Sequence, residues 1–344
     1  MIRIFVLVAA TAFGAATVSA EQIDIGGVTR TFMAQLPDNK PAPLVIVLHG
    51  NTQAGADMAS RTSWPSVAKR EKFGVVFPDG LNRAWADLRP NSKRAGRAPP
   101  EGTDDVGFIV ALIEKFVADG TADPRRIYVT GVSNGGAMTM TMICARADLF
   151  AASASVIINL TDESANACRP SRPVPMLVMN GTADPLIPYQ GGRGTSRFAV
   201  PGFWSTEKTL DFWRRANGCG MQDPAVTDLD DRDRADGSTV TRILSRCPPG
   251  RDVVLYRING GGHRMPGSFP DARFPRVVNY LFGPQNHDID GAETIYGRFF
   301  ASFRECPRKR SVHAARAALR SASIRRARAQ RKYVSAASAP IARS

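Results

Sequence analysis

The sequence predicts an α/β fold with a mostly parallel central sheet and helices on both of its faces. Continuous apolar runs at residues 44–48, 74–77 and 176–179 are typical of strands that are buried on both sides. Between the second and third runs, residues 106–119 carry apolar side chains at helical spacing. Strands that alternate with helices in this way indicate parallel βαβ units.

The most informative stretch is residues 127–138, which read as a strand, a sharp turn and the start of a helix. The turn contains a G-x-S-x-G pattern centred on Ser133. A serine on such a turn is held with strained backbone angles at the carboxyl end of the sheet, and Gly131 and Gly135 leave room where side chains would collide. We therefore expect Ser133 to be a nucleophile. The backbone N–H of Asn134, at the start of the helix, would stabilise an oxyanion. The alternative is a glycine-rich turn with an incidental serine.

Two further residues complete a possible triad. Asp184 follows the strand at residues 176–179, and His263 lies on a glycine-rich loop after an apolar strand at residues 252–258. The order Ser, Asp, His along the chain is typical of one hydrolase architecture. The carboxylate would hold the imidazole in the tautomer that accepts the serine proton. Asp184 could instead be a turn residue, because it precedes a proline.

Other residues are candidates for the substrate cleft and the oxyanion site. The loop after the strand at 44–48 begins with His49, and the N–H of Asn51 or Thr52 is the expected second oxyanion donor. We favour a structural role for His49, since no acid in the sequence is placed to orient it as a base. His49, Trp85 and Met265 are weaker candidates for the cleft wall. Trp85 could equally staple its own loop.

Five short motifs occur in order along residues 28–303. They are Leu-His-Gly-Asn-Thr-Gln at 48–53, Thr-Asp-Asp-Val-Gly-Phe at 103–108, Gly-Val-Ser-Asn-Gly-Gly-Ala-Met at 131–138, Gly-Thr-Ala-Asp at 181–184 and Gly-Gly-His-Arg-Met-Pro-Gly at 261–267. Together they resemble the poly(3-hydroxybutyrate) depolymerase-like esterases, a group that also holds feruloyl and acetylxylan esterases. The chain departs from many of these relatives at Asn51, where a cysteine is common, and at Arg264-Met265, where a Thr-Trp pair is common.

The resemblance implies an α/β-hydrolase fold, no cofactor, and a triad carried by Ser133, Asp184 and His263. It implies hydrolysis of a hydroxyalkanoate ester or short polyester through an acyl-enzyme, with feruloylated or acetylated plant polysaccharide as the alternative substrate. A peptidase on the same fold, which we would expect to carry a gating domain, and a non-catalytic member are further alternatives. No cysteine or histidine spacing indicates a metal site.

The N-terminus predicts export. Residues 1–20 combine Arg3, a short apolar run and the small-residue sequence Val-Ser-Ala, which is typical of a cleaved signal peptide. The mature protein would begin near Glu21, in a secreted or periplasmic location; the alternative is an uncleaved anchor. In such a compartment disulfides persist, and proximity favours Cys144–Cys168 and Cys219–Cys247, although four cysteines admit three pairings. Cys306 is left over.

Charge divides the chain into a hydrolase domain at residues 21–303 and a basic tail at residues 304–344. The formal net charge is +14, and the tail holds twelve Lys or Arg against one acid. Such a tail could bind an anionic surface or polymer. It lacks interleaved aromatic residues, so we expect no specific nucleic-acid recognition. The alternative is a solvated, disordered tail.

Overall fold

The computed structural model describes residues 18–90, 97–195, 202–220, 222–268 and 275–303, all inside one compact unit that spans Met1–Cys306. The strands are β1 (Ser19–Ile25), β2 (Val28–Gln35), β3 (Ala42–Leu48), β4 (Gly74–Pro78), β5 (Ala122–Val132), β6 (Ala152–Val156), β7 (Met176–Gly181), β8 (Ala225–Asp228), β9 (Thr239–Leu244) and β10 (Val253–Asn259). The helices are α1 (Gly55–Arg61), α2 (Trp64–Glu71), α3 (Asp105–Ala118), α4 (Asn134–Arg146), α5 (Asp162–Ala167), α6 (Thr206–Asn217), α7 (Pro275–Phe282) and α8 (Gly291–Arg298). The tail at 304–344, Cys306 and most of the expected signal peptide lie outside the described residues.

Within the described residues, the strands form one sheet in the order β1-β2-β4-β3-β5-β6-β7-β10-β9-β8. The central strands β4, β3, β5, β6, β7 and β10 are parallel, while β1-β2 and β9-β8 extend the two edges in antiparallel fashion. The predicted mostly parallel sheet is therefore confirmed. Ligand sites in such sheets lie at the carboxyl ends of the parallel strands.

Both faces of the sheet are covered by helices, which explains the continuous apolar runs. In β3, Ile46 and Leu48 belong to one core cluster while Val45 and Val47 belong to the other. Helices α3, α4 and α6 supply the first cluster, and α1, α2 and α8 supply the second. A strand between two helical layers has no solvent-facing side, so polar residues do not alternate along it.

One strand carries no apolar signal in the sequence. Residues 223–236 are polar and of mixed charge, which indicates a surface excursion. The structure places β8 within this segment, at the far edge of the sheet beside β9. All four residues of β8 are exposed. An edge strand needs only backbone pairing with one neighbour, so the apolar signal on which the sequence reading depended is absent.

Two disulfides join neighbouring elements of the described chain. Cys144 in α4 pairs with Cys168 at the end of α5, and Cys219 after α6 pairs with Cys247 after β9. This confirms the expected pairing. The partners are 24 and 28 residues apart, and closing such a loop contributes about 3 kcal/mol in the chain-entropy model. Such bonds fit an oxidising compartment.

Among the described residues, no helix is long and apolar enough to cross a bilayer.

Candidate active site

Ser133 lies on the sharp turn between β5 and α4. Its backbone has φ 53° and ψ −117°, a left-handed conformation that is costly for any residue except glycine. The neighbouring glycines are needed for close packing: a Cβ on Gly131 would collide with the carbonyl of Gly135, and a Cβ on Gly135 would collide with the carbonyl of Leu48. The same packing brings the start of α4 against the end of β3.

Asp184 and His263 are brought together because β7 and β10 are parallel neighbours. A Cβ on Gly181 would collide with the carbonyl of Gly261, so the two loops approach as closely as backbone allows. The Ala183 N–H donates to the Gly261 carbonyl at 2.9 Å, which fixes the loops in register. Asp184 Oδ1 accepts the N–H groups of Leu186 and Ile187, both at 2.8 Å. The second carboxylate oxygen is left to face the histidine.

The three side chains form a continuous chain of hydrogen bonds. His263 Nδ1 lies 2.7 Å from Asp184 Oδ2, and His263 Nε2 lies 2.9 Å from Ser133 Oγ. Asp184 and His263 are both buried, whereas Ser133 is only half-buried. With the proton on Nδ1 held by the carboxylate, Nε2 presents a lone pair to the serine hydroxyl. The hydroxyl can thus lose its proton in the direction of the imidazole.

Of the expected oxyanion donors, Asn134 and Asn51 remain available and Thr52 does not. The Asn134 N–H belongs to the first turn of α4, where backbone donors have no partner within the helix. The Asn51 N–H has no acceptor among the described residues. Its side chain instead exchanges hydrogen bonds with the backbone of Arg97. The Thr52 N–H donates to the Arg83 carbonyl at 2.9 Å. The expectation that Thr52 is an oxyanion donor is therefore wrong.

The structure also corrects the placement of His49 and Trp85, which lie behind the cleft rather than on its wall. Both side chains are fully buried. His49 Nε2 accepts the Gly80 N–H at 2.9 Å, so its other nitrogen, Nδ1, carries the proton and donates to the Gly50 carbonyl at 2.7 Å. Burial lowers the pKa of His49, and smaller raising effects of the Gly50 carbonyl and nearby carboxylates do not overcome it. The neutral His49 ring therefore has a structural role, which we predicted because no acid is placed to orient it.

Trp85 belongs to a polar network that no pattern in the sequence predicts. Its indole N–H donates to the His49 carbonyl, and its backbone N–H donates to the Asn134 side-chain oxygen at 2.8 Å. The Asn134 amide group in turn donates to Asp87 at 2.7 Å, and Asp87 is ion-paired with Arg89. This network, defined as Trp85, Asp87, Arg89 and Asn134, clamps the first residue of α4. The residues are distant in sequence and form no recognisable motif.

A second buried ion pair holds the loop that contains Trp85. Arg30 in β2 lies 2.6 Å from Asp105 at the start of α3, and Asp105 also accepts the Ala86 N–H at 2.7 Å. Asp104 caps the helix by accepting the Gly107 N–H. Asp105 is also an acid in the first turn of α3. The tertiary contact with Arg30 gives it the additional task of anchoring the loop that holds Asn134.

A cavity of about 490 Å³ opens beside Ser133 and His263. Its wall is mainly apolar, with Ile157, Ile158, Leu186, Ile187, Phe203 and Met265 among its residues. The expected cleft residue Met265 thus lies on the wall. Three arginines, Arg61, Arg89 and Arg264, also line the cavity. Among the described residues, no group of three or more His, Cys, Asp or Glu side chains is arranged to hold a metal ion.

Comparison with known proteins shows which hydrolases the chain resembles. Residues 100–159, which include the serine turn, match the model of the prolyl oligopeptidase family. "Putative esterase NocK" of Nocardia uniformis subsp. tsuyamanensis is 29% identical over 81% of this chain and 81% of its own length. Feruloyl esterase B of Piromyces equi is 29% identical over 67% of this chain, which spans only 41% of that relative.

Among solved structures, the acetyl xylan esterase from Aspergillus awamori superposes with a TM-score of 0.50 over 76% of this chain and 98% of its own. At 14% sequence identity this similarity concerns the fold alone. The sheet, the serine turn and these relatives together define the class. The chain has the α/β-hydrolase fold and is a serine hydrolase of carboxylic esters.

Proposed function

We propose that the chain cleaves its ester with Ser133 as nucleophile, His263 as general base and Asp184 as the residue that orients the histidine. The observation that carries this proposal is the unbroken hydrogen-bond chain from Asp184 through His263 to Ser133, at 2.7 and 2.9 Å. The positive φ of Ser133 adds support, because backbone strain of this kind concentrates at functional sites.

In this mechanism His263 Nε2 takes the proton of Ser133 as Oγ attacks the ester carbonyl. The N–H groups of Asn134 and Asn51 donate to the oxyanion of the tetrahedral intermediate, and each such donor lowers the barrier by about 3 kcal/mol. His263 then gives the proton to the leaving alcohol, which leaves Ser133 acylated. Water attacks the acyl-enzyme with His263 as base, and the acid is released.

Two substrate classes have specific support. The five ordered motifs favour a hydroxyalkanoate ester or short polyester. The names of the relatives favour feruloyl or acetyl esters of plant polysaccharide, since they include a feruloyl esterase and a bifunctional acetylxylan esterase/xylanase of Neocallimastix patriciarum. A largely apolar cavity of about 490 Å³ accommodates either acyl group.

A peptidase is the remaining candidate, and the family match over residues 100–159 favours it. That match covers the serine turn and the elements on both sides of it, from α3 to β6. These parts are shared by hydrolases with different substrates on this fold, so the match alone weighs less than the longer similarity to esterases.

We also propose that the protein acts outside the cytoplasm after cleavage near Glu21. The two disulfides support this location. The basic tail at 304–344 would then be an independent segment that contacts an anionic surface. Phe303 still belongs to the folded unit, because its carbonyl accepts the Tyr128 hydroxyl at 2.6 Å. A chain truncated after Phe303 should fold and keep its esterase activity; loss of folding would contradict this division.

The test is hydrolysis by purified protein, wild type beside Ser133→Ala. The panel holds p-nitrophenyl butyrate, methyl ferulate, acetylated xylan, a hydroxybutyrate oligomer and a prolyl p-nitroanilide peptide. Ester cleavage that disappears in the variant is the expected result, and the best substrate selects the subclass. Cleavage of the peptide alone would favour the peptidase, and ester cleavage that survives the substitution would overturn the proposal.

A further inference from the structure

The cavity beside the triad contains one cation with an unusual environment. Arg264 directly follows His263 in sequence, lines the cavity, and is half-buried. Its guanidinium donates to the Asn279 side-chain oxygen at 2.9 Å, and Asn279 is a neutral residue of α7. Within the described part of the chain, no carboxylate lies within 4.0 Å of it.

The other two arginines of the cavity differ from Arg264. Arg89 is buried and ion-paired with Asp87 at 2.7 Å. Arg61 is largely exposed and lies 3.7 Å from Asp57, which also lines the cavity. Each therefore has an acid of its own. Burial lowers the pKa of the Arg264 guanidinium.

Taking part of a guanidinium out of water has a free-energy cost, which an anionic ligand in the cavity would offset. The planar fork of the guanidinium matches a carboxylate in a bidentate geometry. Asn279 occupies Nη1 and fixes the orientation of the side chain from α7. Arg264 lines a cavity whose walls are mainly apolar, where a charge-assisted hydrogen bond is stronger than in water.

We propose that Arg264 is a specificity residue that binds a free carboxylate on the substrate. The preferred substrates are therefore esters that carry a free carboxylate elsewhere in the molecule, either in the acyl group or in the alcohol. This inference rests on the proposed function, because it assigns a subsite to the cavity of the same Ser133 centre. A linear oligomer of a hydroxy acid carries such a carboxylate, whereas a neutral sugar acetate does not.

The experiment uses two matched substrate pairs with the full-length protein. Mono-4-nitrophenyl adipate and its methyl ester place or remove a carboxylate in the acyl group. 4-Acetoxybenzoate and its methyl ester place or remove one in the alcohol. The ratio of kcat/KM within each pair is compared between wild type and Arg264→Gln, so that the intrinsic reactivity of the esters cancels. The pair that responds identifies the side of the substrate that Arg264 binds.

We expect Arg264→Gln to lower kcat/KM for the carboxylate member of one pair by roughly 10- to 100-fold, mainly through KM. The neutral member should change by less than about threefold, since it makes no charged contact. Arg264→Lys should restore part of the preference, and the preference of the wild type should weaken at high salt. Arg276→Gln is the matched control, because Arg276 is an exposed residue of α7 outside the cavity lining.

Two results would overturn the subsite. In the first, the wild type has the same kcat/KM for both members of each pair. In the second, Arg264→Gln lowers kcat/KM equally for the carboxylate and the neutral member of a pair. Binding separates this failure from failure of the proposed function. Calorimetry with monomethyl and dimethyl adipate on Ser133→Ala, with and without Arg264→Gln, reports on Arg264 without any turnover. If Ser133→Ala prefers monomethyl adipate in an Arg264-dependent way but the wild type hydrolyses no ester, the proposed function is contradicted and the Arg264 subsite is not.

Discussion

Two loops of the molecule can be compared directly, because each follows a buried parallel strand and each carries a buried histidine. His49 follows β3 and is fully buried, while His263 follows β10 and is 8% exposed. Their rings differ in their partners. His49 bonds to the backbone of Gly50 and Gly80, and His263 bonds to the side chains of Asp184 and Ser133.

The difference shows that burial and position after a strand do not define a catalytic histidine. A ring whose two nitrogens both bond to backbone groups has no proton to exchange with a substrate, and its role is to hold the loop in place. A ring held by a carboxylate on one side and a hydroxyl on the other can accept a proton and be stabilised as the cation. Substitutions at the two histidines and at Asp184 should therefore have different effects on activity and stability.

The largest effect is expected for His263→Ala. Removal of the proposed base should lower kcat on p-nitrophenyl esters by at least about 10⁴-fold, because the serine can no longer be deprotonated. Steady-state rates, with mass spectrometry to detect acylated Ser133, provide the measurement. The matched variant is His49→Ala, assayed at a temperature where it is folded. Comparable losses in the two variants would remove the distinction between the loops.

A slightly smaller effect is expected for Asp184→Asn. The amide can still accept the N–H groups of Leu186 and Ile187 through its oxygen, so the turn should survive. It cannot hold His263 in the required tautomer, and kcat should fall by about 10³- to 10⁴-fold. The melting temperature should stay close to that of the wild type. A variant with nearly full activity would show that Asp184 is only a turn residue.

His49→Ala should act on stability instead. The substitution leaves the Gly80 N–H and the Gly50 carbonyl without their partner in a buried site, and it should lower the free energy of unfolding by about 2–4 kcal/mol. Urea unfolding provides the measurement. At a permissive temperature kcat should remain within about tenfold of the wild type, since the ring acts only through the loop. His49→Gln, which keeps a donor and an acceptor, should lose less stability.

The smallest effect concerns pH. Because burial lowers the pKa of His49, the unfolded chain takes up a proton near the ordinary value of 6.5 while the folded chain does not. The contribution of His49 to stability is thus complete above that pH and is lost as the pH falls toward the folded pKa. The slope is at most about 1.4 kcal/mol per pH unit. Unfolding between pH 7.5 and 5.5 should therefore depend on pH more steeply in wild type than in His49→Gln; equal slopes would show that the ring is not buried neutral.

The sequence predicted the parallel strands, α4 with its serine turn and the disulfide pairing from strong local signals. Apolar runs, a rigid glycine spacing and short loops between cysteines depend on neighbours in the chain. The same signals missed β8, whose exposed residues carry no apolar pattern. They also left Trp85 open between the cleft wall and a role inside its own loop, because an aromatic residue in a loop has the same local pattern whether it faces solvent or core.

The amino-acid sequence specifies which chemical groups the chain carries and in what order: a serine on a strained turn, then an acid and a histidine after two later strands. Which of these groups meet depends on the tertiary fold. The close approach of Gly181 to Gly261 brings Asp184 to His263, and a bond from Thr52 to Arg83 removes one expected oxyanion donor. The environment of Arg264 was decided in the same way. The physical reason is that hydrogen bonding and desolvation depend on distances of a few ångströms between residues far apart in sequence, which no local pattern encodes.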